Sequence, residues 1–407
     1  MSPRSPDSAA DLLRHRPFAL YFAGRAFSNF SRQIVAVAIG WQVYALTGSA
    51  LLLGMVGLVS FLPTALLTFF AGDVADRFDR KRVVQICQLI EGVAAAYLAW
   101  GSYVGALTVT QIFIVSALFG AAAAFERPAA SAMLPGVVPN GMLQRGTALT
   151  SGAMELASIS GPALGGFAYA FSPALPYLVT AVFWILASVF NGAIQMERPV
   201  RPPEAPSLSS LFAGVRFVRD NPNILGSISL DLFAVLLGGA TALLPIYASD
   251  ILHTGPWGLG LLRAAPAVGS LLMTLALARR SITRRVGLRM FQAVIVFGIA
   301  TCVFALSRDI WLSMGALLVM GASDTVSVII RLSLVQLATP DAMRGRVSAV
   351  NFLFINASNQ LGEFESGLTA WLFGTVPAAL IGGVGTVAVA LLWMKLFPSL
   401  RKVERLE

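Results

Sequence analysis

Four polar side chains near the start of the chain, Arg25, Ser28, Asn29 and Arg32, recur at i, i+3, i+4 and i+7, with Gln33 beside them, which puts them on one face of a helix. They sit in an apolar run. Two guanidiniums turned toward hydrocarbon would be prohibitive, so this face must line a polar cavity or meet acids. Asp324, Ser327 and Arg331 repeat the pattern, as do Asn356, Asn359, Gln360 and Glu363. For any single residue the plainer reading is hydrogen-bonding glue between helices. Such stripes can bind a polar solute or carry protons, and proton carriage needs a carboxyl group whose proton affinity changes between water-facing and buried settings. Burial raises a carboxyl pKa and a neighbouring arginine lowers it. The mid-helix candidates are Asp231, Glu155, Asp324 and Glu363, with Glu91 and Glu365 behind them; depth favours Asp231 and Glu155. Asp231 shares a face with Ser227 and Gly238, and Arg331 lies two turns from Asp324, where protonation of the acid would release it.

Other chemistries find no residues to stand on. The two histidines, His15 and His253, fall at helix ends without metal-ligand spacing, so neither zinc nor a catalytic triad is expected. Phosphate-cradling loops are absent, so ATP is not expected to drive the protein. No cofactor or metal is implied. Cys87 and Cys302 each lie inside an apolar run and imply no disulfide framework.

The elements that must hold these side chains are membrane helices. The chain of 407 residues is 57% hydrophobic and only 12% charged, with a mean hydropathy of +0.76, far from the roughly 25% charged composition of a soluble domain. Apolar segments fall near 18–46, 50–75, 82–104, 107–134, 145–170 and 177–195, then near 223–249, 258–278, 289–306, 311–337, 346–372 and 377–397. Each is long enough to cross a bilayer, which takes about 20 helical residues. An all-α membrane protein of twelve transmembrane helices follows. Its expected parts are a tail over 1–17, a six-helix bundle over 18–196, a linker over 197–222, a second bundle over 223–397 and a tail over 398–407. In the linker, Pro199, Pro202, Pro203 and Pro206 favour extended chain. Leu208, Leu211, Phe212, Val215 and Val218 then recur at helical spacing, with Arg216 and Arg219 on the other side. That reads as an interfacial amphipathic helix, or as a plain spacer.

The net charge of +9 invites a nucleic-acid reading, but the positions of the bases decide against it. With the N-terminus cytoplasmic, Arg14, Arg16, Arg77 to Arg82, Arg145, Arg198 to Arg219, Arg279 to Arg289, Arg344, Arg346, Arg401, Lys402 and Arg405 all fall inside, and Arg308 alone outside. This is the positive-inside pattern, with both termini cytoplasmic. The first seventeen residues lack the apolar stretch and cleavage site of a secretory signal, so the first helix is expected to serve as one.

The halves also repeat. A shift of 201 residues lays Pro139 on Pro340, Met142 on Met343, Arg145 on Arg346, Gly161 on Gly362 and Gly166 on Gly367. The fourth and fifth helices thus correspond to the tenth and eleventh, as two parallel six-helix halves would give, with a pathway between them near the midplane.

Between the second and third segments runs Gly72-Asp73-Val74-Ala75-Asp76-Arg77-Phe78-Asp79-Arg80-Lys81-Arg82-Val83, a charged loop by its composition. Its order resembles the signature of the major facilitator superfamily. Asp79 stands where that pattern has a second glycine, so Asp must make the turn. Gly161-Pro162-Ala163-Leu164-Gly165-Gly166 in the fifth segment resembles the exporter-associated Gly-Pro motif, where a proline removes a hydrogen bond and glycines allow close helix approach. An ordinary packing kink is the plainer reading. Together these stretches look most like the branch containing enterobactin exporters and macrolide-efflux proteins.

That resemblance implies the major facilitator fold: two pseudo-symmetric six-helix bundles rocking about a central cavity. It implies a conformational clamp of Gly72, Asp76, Arg77, Arg80, Lys81, Glu126 and Arg127. Asp76 would dock on the N-terminus of the eleventh helix, near Arg346 and Val347, and Glu126 would partner Arg77. Ser116 precedes Gly120 by four residues where related proton-driven drug antiporters carry an arginine. The implied activity is proton-coupled export of an amphipathic small molecule such as a drug or siderophore, from a bacterial cytoplasmic membrane, with protons and membrane lipid as further partners and no nucleic acid. Lipid or lysolipid transport, proton-coupled uptake and a non-transporting receptor remain as alternatives. The solute must tolerate arginines and aromatics such as Trp41, Phe233 and Trp371.

Overall fold

In the computed structural model, residues 9–195, 208–280 and 284–405 are described, and the side chains of Asp76, Arg77 and Asn356 are outside that description. Twelve long helices run through the chain: α1 Arg16–Thr47, α2 Ala50–Arg77, α3 Arg80–Val104, α4 Val109–Val137, α5 Leu143–Phe171, α6 Leu175–Gly192, α7 Pro222–Leu237, α8 Gly255–Arg279, α9 Val286–Leu306, α10 Ile310–Ala338, α11 Asp341–Phe373 and α12 Thr375–Leu396. Short helices at Ala9–Arg14 and Leu208–Asp220 precede α1 and α7. No strand occurs among the described residues. Among the described residues nine stretches are long and apolar enough to cross a membrane, one of them running Pro222–Ile251 through α7 and the turns after it. The helices α1, α5 and α11 are long too but more polar, because they carry the Arg25 stripe, a Ser/Thr-rich run with Glu155, and the Asn356 stripe.

Lipid as solvent explains the exposed apolar surface. Trp100 (68% exposed), Tyr103 (78%), Phe171 (85%) and Trp311 (74%) sit at helix ends remote from the charged connection, the placement of an interfacial aromatic belt.

The chain forms two compact units, Met1–Leu46 with Val59–Ala205, and Thr47–Leu58 with Pro206–Glu407. The boundary differs from the expected one, because the first turns of α2 pack with the second unit. Gly54 there lies against Gly367 of α11, backbone to backbone.

The charged loop is shorter than its composition suggests. α2 continues through Gly72 to Arg77, and only Phe78 and Asp79 separate it from α3. Asp79 makes no unusual turn: at φ −65°, ψ 111° it is the N-cap of α3, its carboxylate accepting from Lys81 N–H at 3.0 Å. A cap satisfies one of the orphan amides of a helix start, so an Asp here is useful without glycine-like freedom.

In the first unit, Leu12, Phe18, Tyr21, Val84, Met133, Val137 and Ile194 form a fully buried cluster at the charged-connection end. In the second, Leu230, Met290, Phe291, Val294, Ile330 and Leu400 form a buried cluster. Leu400 belongs to the segment expected as a plain tail. That segment is docked instead, with Gly287 N–H donating to Val403 O at 3.0 Å. The linker helix is anchored too: Val218 is buried against Ile224, Val335, Val347 and Val350 while Arg216 and Arg219 stay exposed. Pro199, Pro202, Pro203 and Pro206 lie outside the described residues.

α7 is discontinuous where one segment was expected over 223–249. It stops at Leu237, and after Gly238 and Gly239 the chain resumes as a 3-10 turn and a wide turn ending at Ile251. A Cβ on Gly239 would strike Gly362 O and Ser366 of α11, so the glycines let two backbones meet where α7 breaks.

Candidate functional site

In the first unit the polar face of α1 meets acids. Arg32 forms an ion pair with Glu126 of α4, whose side chain is 0% exposed against 19% for the arginine. Glu126 also accepts from Ser28 Oγ (2.9 Å) and from Gln88 Nε2 of α3 (2.9 Å), and Arg32 Nη2 donates to Ser28 Oγ (3.0 Å). Asn191 Nδ2 of α6 donates to Gln88 Oε1 at 2.9 Å, extending the network over four helices. A buried charge is tolerated only when paired and hydrogen-bonded, and Glu126 has three donors. Its expected partner, the Arg77 side chain, lies outside the described residues; among the described ones Glu126 is paired with Arg32. Glu91, one turn beyond Gln88 on α3, is 1% exposed, and its Oε2 accepts no hydrogen bond. Arg127 is exposed, and Arg25 and Asn29 are partly buried.

The helices reach these positions through small residues. A Cβ on Gly161 of α5 would fall 2.6 Å from Gln33 Cβ, and one on Gly165 would fall 2.9 Å from Ile34 O. The Gly-Pro segment is thus the α1–α5 crossing. Pro162 lies inside an unbroken helix, and Gly161, Pro162, Gly165 and Gly166 are all buried. Gln33 Nε2 reaches Ser158 Oγ at 3.4 Å across the same crossing. Glu155 on α5 is partly buried.

In the second unit Arg331 of α10 forms an ion pair with Asp231 of α7, the two side chains 3% and 9% exposed. The expected partner of Arg331, Asp324, lies beside them: Asp231, Ala234, Phe297, Asp324 and Ser327 line one small cavity of about 10 Å³, the space of a single water molecule. Glu363 is elsewhere, packed with Gln360 on Gly57 of α2 and in electrostatic contact with Arg263 of α8. Asn359 is exposed.

Of the expected clamp, Arg80 and Lys81 bond backbone carbonyls within the first unit, Arg80 inside α4 and Lys81 at the end of α6. Arg80 Nη1 donates to Ala132 O at 3.2 Å, and Lys81 Nζ donates to Gly192 O (3.3 Å) and Ile194 O (3.1 Å) at the end of α6. The last carbonyls of a helix lack internal partners and attract cations. Gly72 is a helical residue of α2.

Sequence reasoning missed Gln88, Asn191 and Arg263. Each is a polar side chain inside an apolar run, the signal that picked out Arg25 and Arg32, but each stands alone rather than in a stripe.

Comparison with known proteins agrees with this architecture. The family described as "Transmembrane secretion effector" matches residues 7–407. The enterobactin exporter EntS of Citrobacter koseri is 27% identical over 393 residues, covering 96% of this chain and 94% of that protein. The multidrug efflux pump Tap of Mycobacterium tuberculosis is 29% identical over 384 residues, 90% of each. Among solved structures, a point mutant of the nucleoside transporter NupG aligns with a TM-score of 0.76 at 15% identity, over 94% of this chain and all of that one. A bacterial homologue of the lysosomal transporter Spinster gives 0.73 at 12%, over 95% and 96%. At such identities these structures attest the fold alone. Buried ion pairs inside an apolar helical protein, a repeat in the chain and a family match over nearly its whole length lead to one conclusion: the chain belongs to the transmembrane secretion effector family of the major facilitator superfamily.

Proposed function

We propose that this protein is a proton-coupled exporter of an amphipathic small molecule, a drug or a siderophore, working by alternating access in a bacterial cytoplasmic membrane with both termini inside. The observation that carries the coupling is the Asp231–Arg331 ion pair with Asp324 on the same small cavity. A proton on Asp231 removes the charge that holds Arg331, and Asp324 offers the guanidinium a second carboxylate on its own helix. Such an exchange lets one proton change how two helices are held. Export is supported by two relatives, an enterobactin exporter and a multidrug efflux pump, and by the Gly161-Pro162 crossing. Residues 18–196 and 223–397 are the moving halves, and Asp76, Arg77, Arg80, Lys81 and Arg127 stabilise one of their arrangements.

The test is substrate-dependent proton movement in proteoliposomes carrying an imposed pH gradient, with a panel of drugs and siderophores. At least one compound should collapse the gradient with the native chain. Asp231→Asn should abolish the effect, while Glu155→Gln tests the other deep carboxylate. A gradient that no compound perturbs, or an Asp231→Asn protein that couples normally, would falsify the reading.

A further inference from the structure

The segment after α12 completes the start of α9. Arg285, the residue before that helix, adopts φ 52° and ψ 43°, a left-handed conformation that side chains rarely take, and it makes no side-chain cap. The first amides of a helix need acceptors from elsewhere, and here the tail supplies them. Val286 N–H donates to Glu404 O (3.4 Å) and Gly287 N–H to Val403 O (3.0 Å). Leu400, 0% exposed, fastens the segment into the core of the second unit. Gly287 leaves room for it, since a Cβ there would strike Leu400 O.

This docking gathers charge of one sign. Arg284, Arg285 and Arg289 lie within three residues of Gly287, and Arg401, Lys402 and Arg405 within two residues of Val403. All six are exposed. Glu404 is the one acid in 284–289 and 398–405. No ion pair among the described residues joins Arg284, Arg285, Arg289, Arg401 or Lys402 to a carboxylate. Like charges brought together repel, so the fold sets a buried leucine and two backbone hydrogen bonds against that repulsion, and an anion would relieve it. An inward bias of bases orients a chain without any tertiary contact; here two segments far apart in the chain are held together.

The cluster also lies at a defined level. The crossing stretches Gly255–Arg279, Val286–Leu306 and Thr375–Leu396 end or begin beside it, where hydrocarbon gives way to headgroups. The anion at hand there is a lipid phosphate, and juxtamembrane clusters of about four to eight bases are what anionic leaflets attract. We propose that the start of α9 and the docked C-terminal segment together bind the phosphate headgroup of an anionic phospholipid. The proposal draws on the membrane location alone, and needs neither transport nor one orientation of the chain in the bilayer.

Native mass spectrometry of the full chain in a mild detergent, with equal amounts of palmitoyl-oleoyl phosphatidylglycerol and phosphatidylcholine, tests it. The two lipids share their chains and differ in net headgroup charge. The phosphatidylglycerol adduct should exceed the other by at least about tenfold. Arg284→Gln with Arg289→Gln, and Arg401→Gln with Lys402→Gln, should each remove most of that preference. Arg14→Gln with Arg16→Gln takes the same charge from exposed positions of the first unit and should leave it intact. Gly287→Ala should lower it without removing any charge, by pushing the tail off α9. Should Gly287→Ala fail to fold, the substitutions of exposed residues carry the comparison. Equal adducts, a preference that survives both double substitutions of the cluster, or one that Arg14→Gln with Arg16→Gln removes as fully overturns the proposal. An unchanged preference in a folded Gly287→Ala protein does the same. So does displacement of the lipid by excess inorganic phosphate or by a tetraglutamate peptide, which would assign the patch to a soluble anion or an acidic protein segment.

Discussion

Arg32 on α1 is paired with Glu126 on α4, and the corresponding helices of the second unit, α7 and α10, are joined by Asp231 and Arg331 with the charges exchanged. The helices correspond closely: α4 spans Val109–Val137 and α10 spans Ile310–Ala338, the 201-residue shift of the sequence repeat. The charged residues do not. Under that shift Glu126 falls on Ser327 and Arg32 on Phe233. What repeats is therefore the joining of the first and fourth helices of a half by a buried ion pair, not the residues that join them.

Breaking one member of such a pair strands the other. Glu126→Gln leaves the partly buried Arg32 beside Ser28 without its carboxylate, at a cost of about 3 kcal/mol, the low end for a broken buried pair. The thermal unfolding midpoint of the detergent-solubilised protein should fall clearly. Arg32→Met with Glu126→Met should fall much less, since an apolar pair of similar volume replaces both charges. Equal losses for the single and double substitutions would show that the pair is not coupled.

The glycines of α5 predict a graded series. Gly165→Ala sets a methyl 2.9 Å from the Ile34 carbonyl oxygen, whereas Gly152→Ala meets nothing within 4 Å. The first should destabilise by about 1–3 kcal/mol and reduce transport. The second should be neutral or stabilise by up to about 1 kcal/mol through helix propensity. Unfolding midpoints of the two proteins decide the matter, and a reversed order would contradict the α1–α5 crossing.

Asp79 is a cap and not a strained turn, so its replacements should follow capping rules. Asp79→Ala should cost about 0.5–2 kcal/mol, and Asp79→Gly, which restores the usual superfamily residue, only a few tenths less than native. Were the turn strained, glycine would stabilise. Chemical denaturation of the native and variant proteins distinguishes the two.

Lys81 bridges two carbonyls at the end of α6. Lys81→Met keeps the stem and removes the charge, with an expected loss of about 0.3–1 kcal/mol that shrinks in high salt. Matched unfolding curves at low and high ionic strength should show it, and a salt-independent loss would point to packing.

Much of this protein is written in its sequence. Twelve apolar runs of spanning length, bounded by charges, specify the helices, because each backbone in lipid must satisfy its own hydrogen bonds. The placement of Arg25, Ser28, Asn29 and Arg32 at helical spacing was enough to say that one face of α1 avoids lipid. The Gly161-Pro162 segment announced a close crossing before its partner was known. Helix periodicity is local, and these features are local too.

Partnership is not local, and there the fold had to decide. Glu126 is paired with Arg32 of another helix, and Arg331 with Asp231 of another helix rather than with Asp324 of its own. A helix with polar groups on one face can satisfy them against several neighbours. Which neighbour it meets depends on where small residues such as Gly161 and Gly165 let the backbones approach. The break at Gly238 and Gly239, the docking of Leu400 and the loose Oε2 of Glu91 follow from the same cause: packing between segments far apart in the chain selects among arrangements that each segment alone would allow.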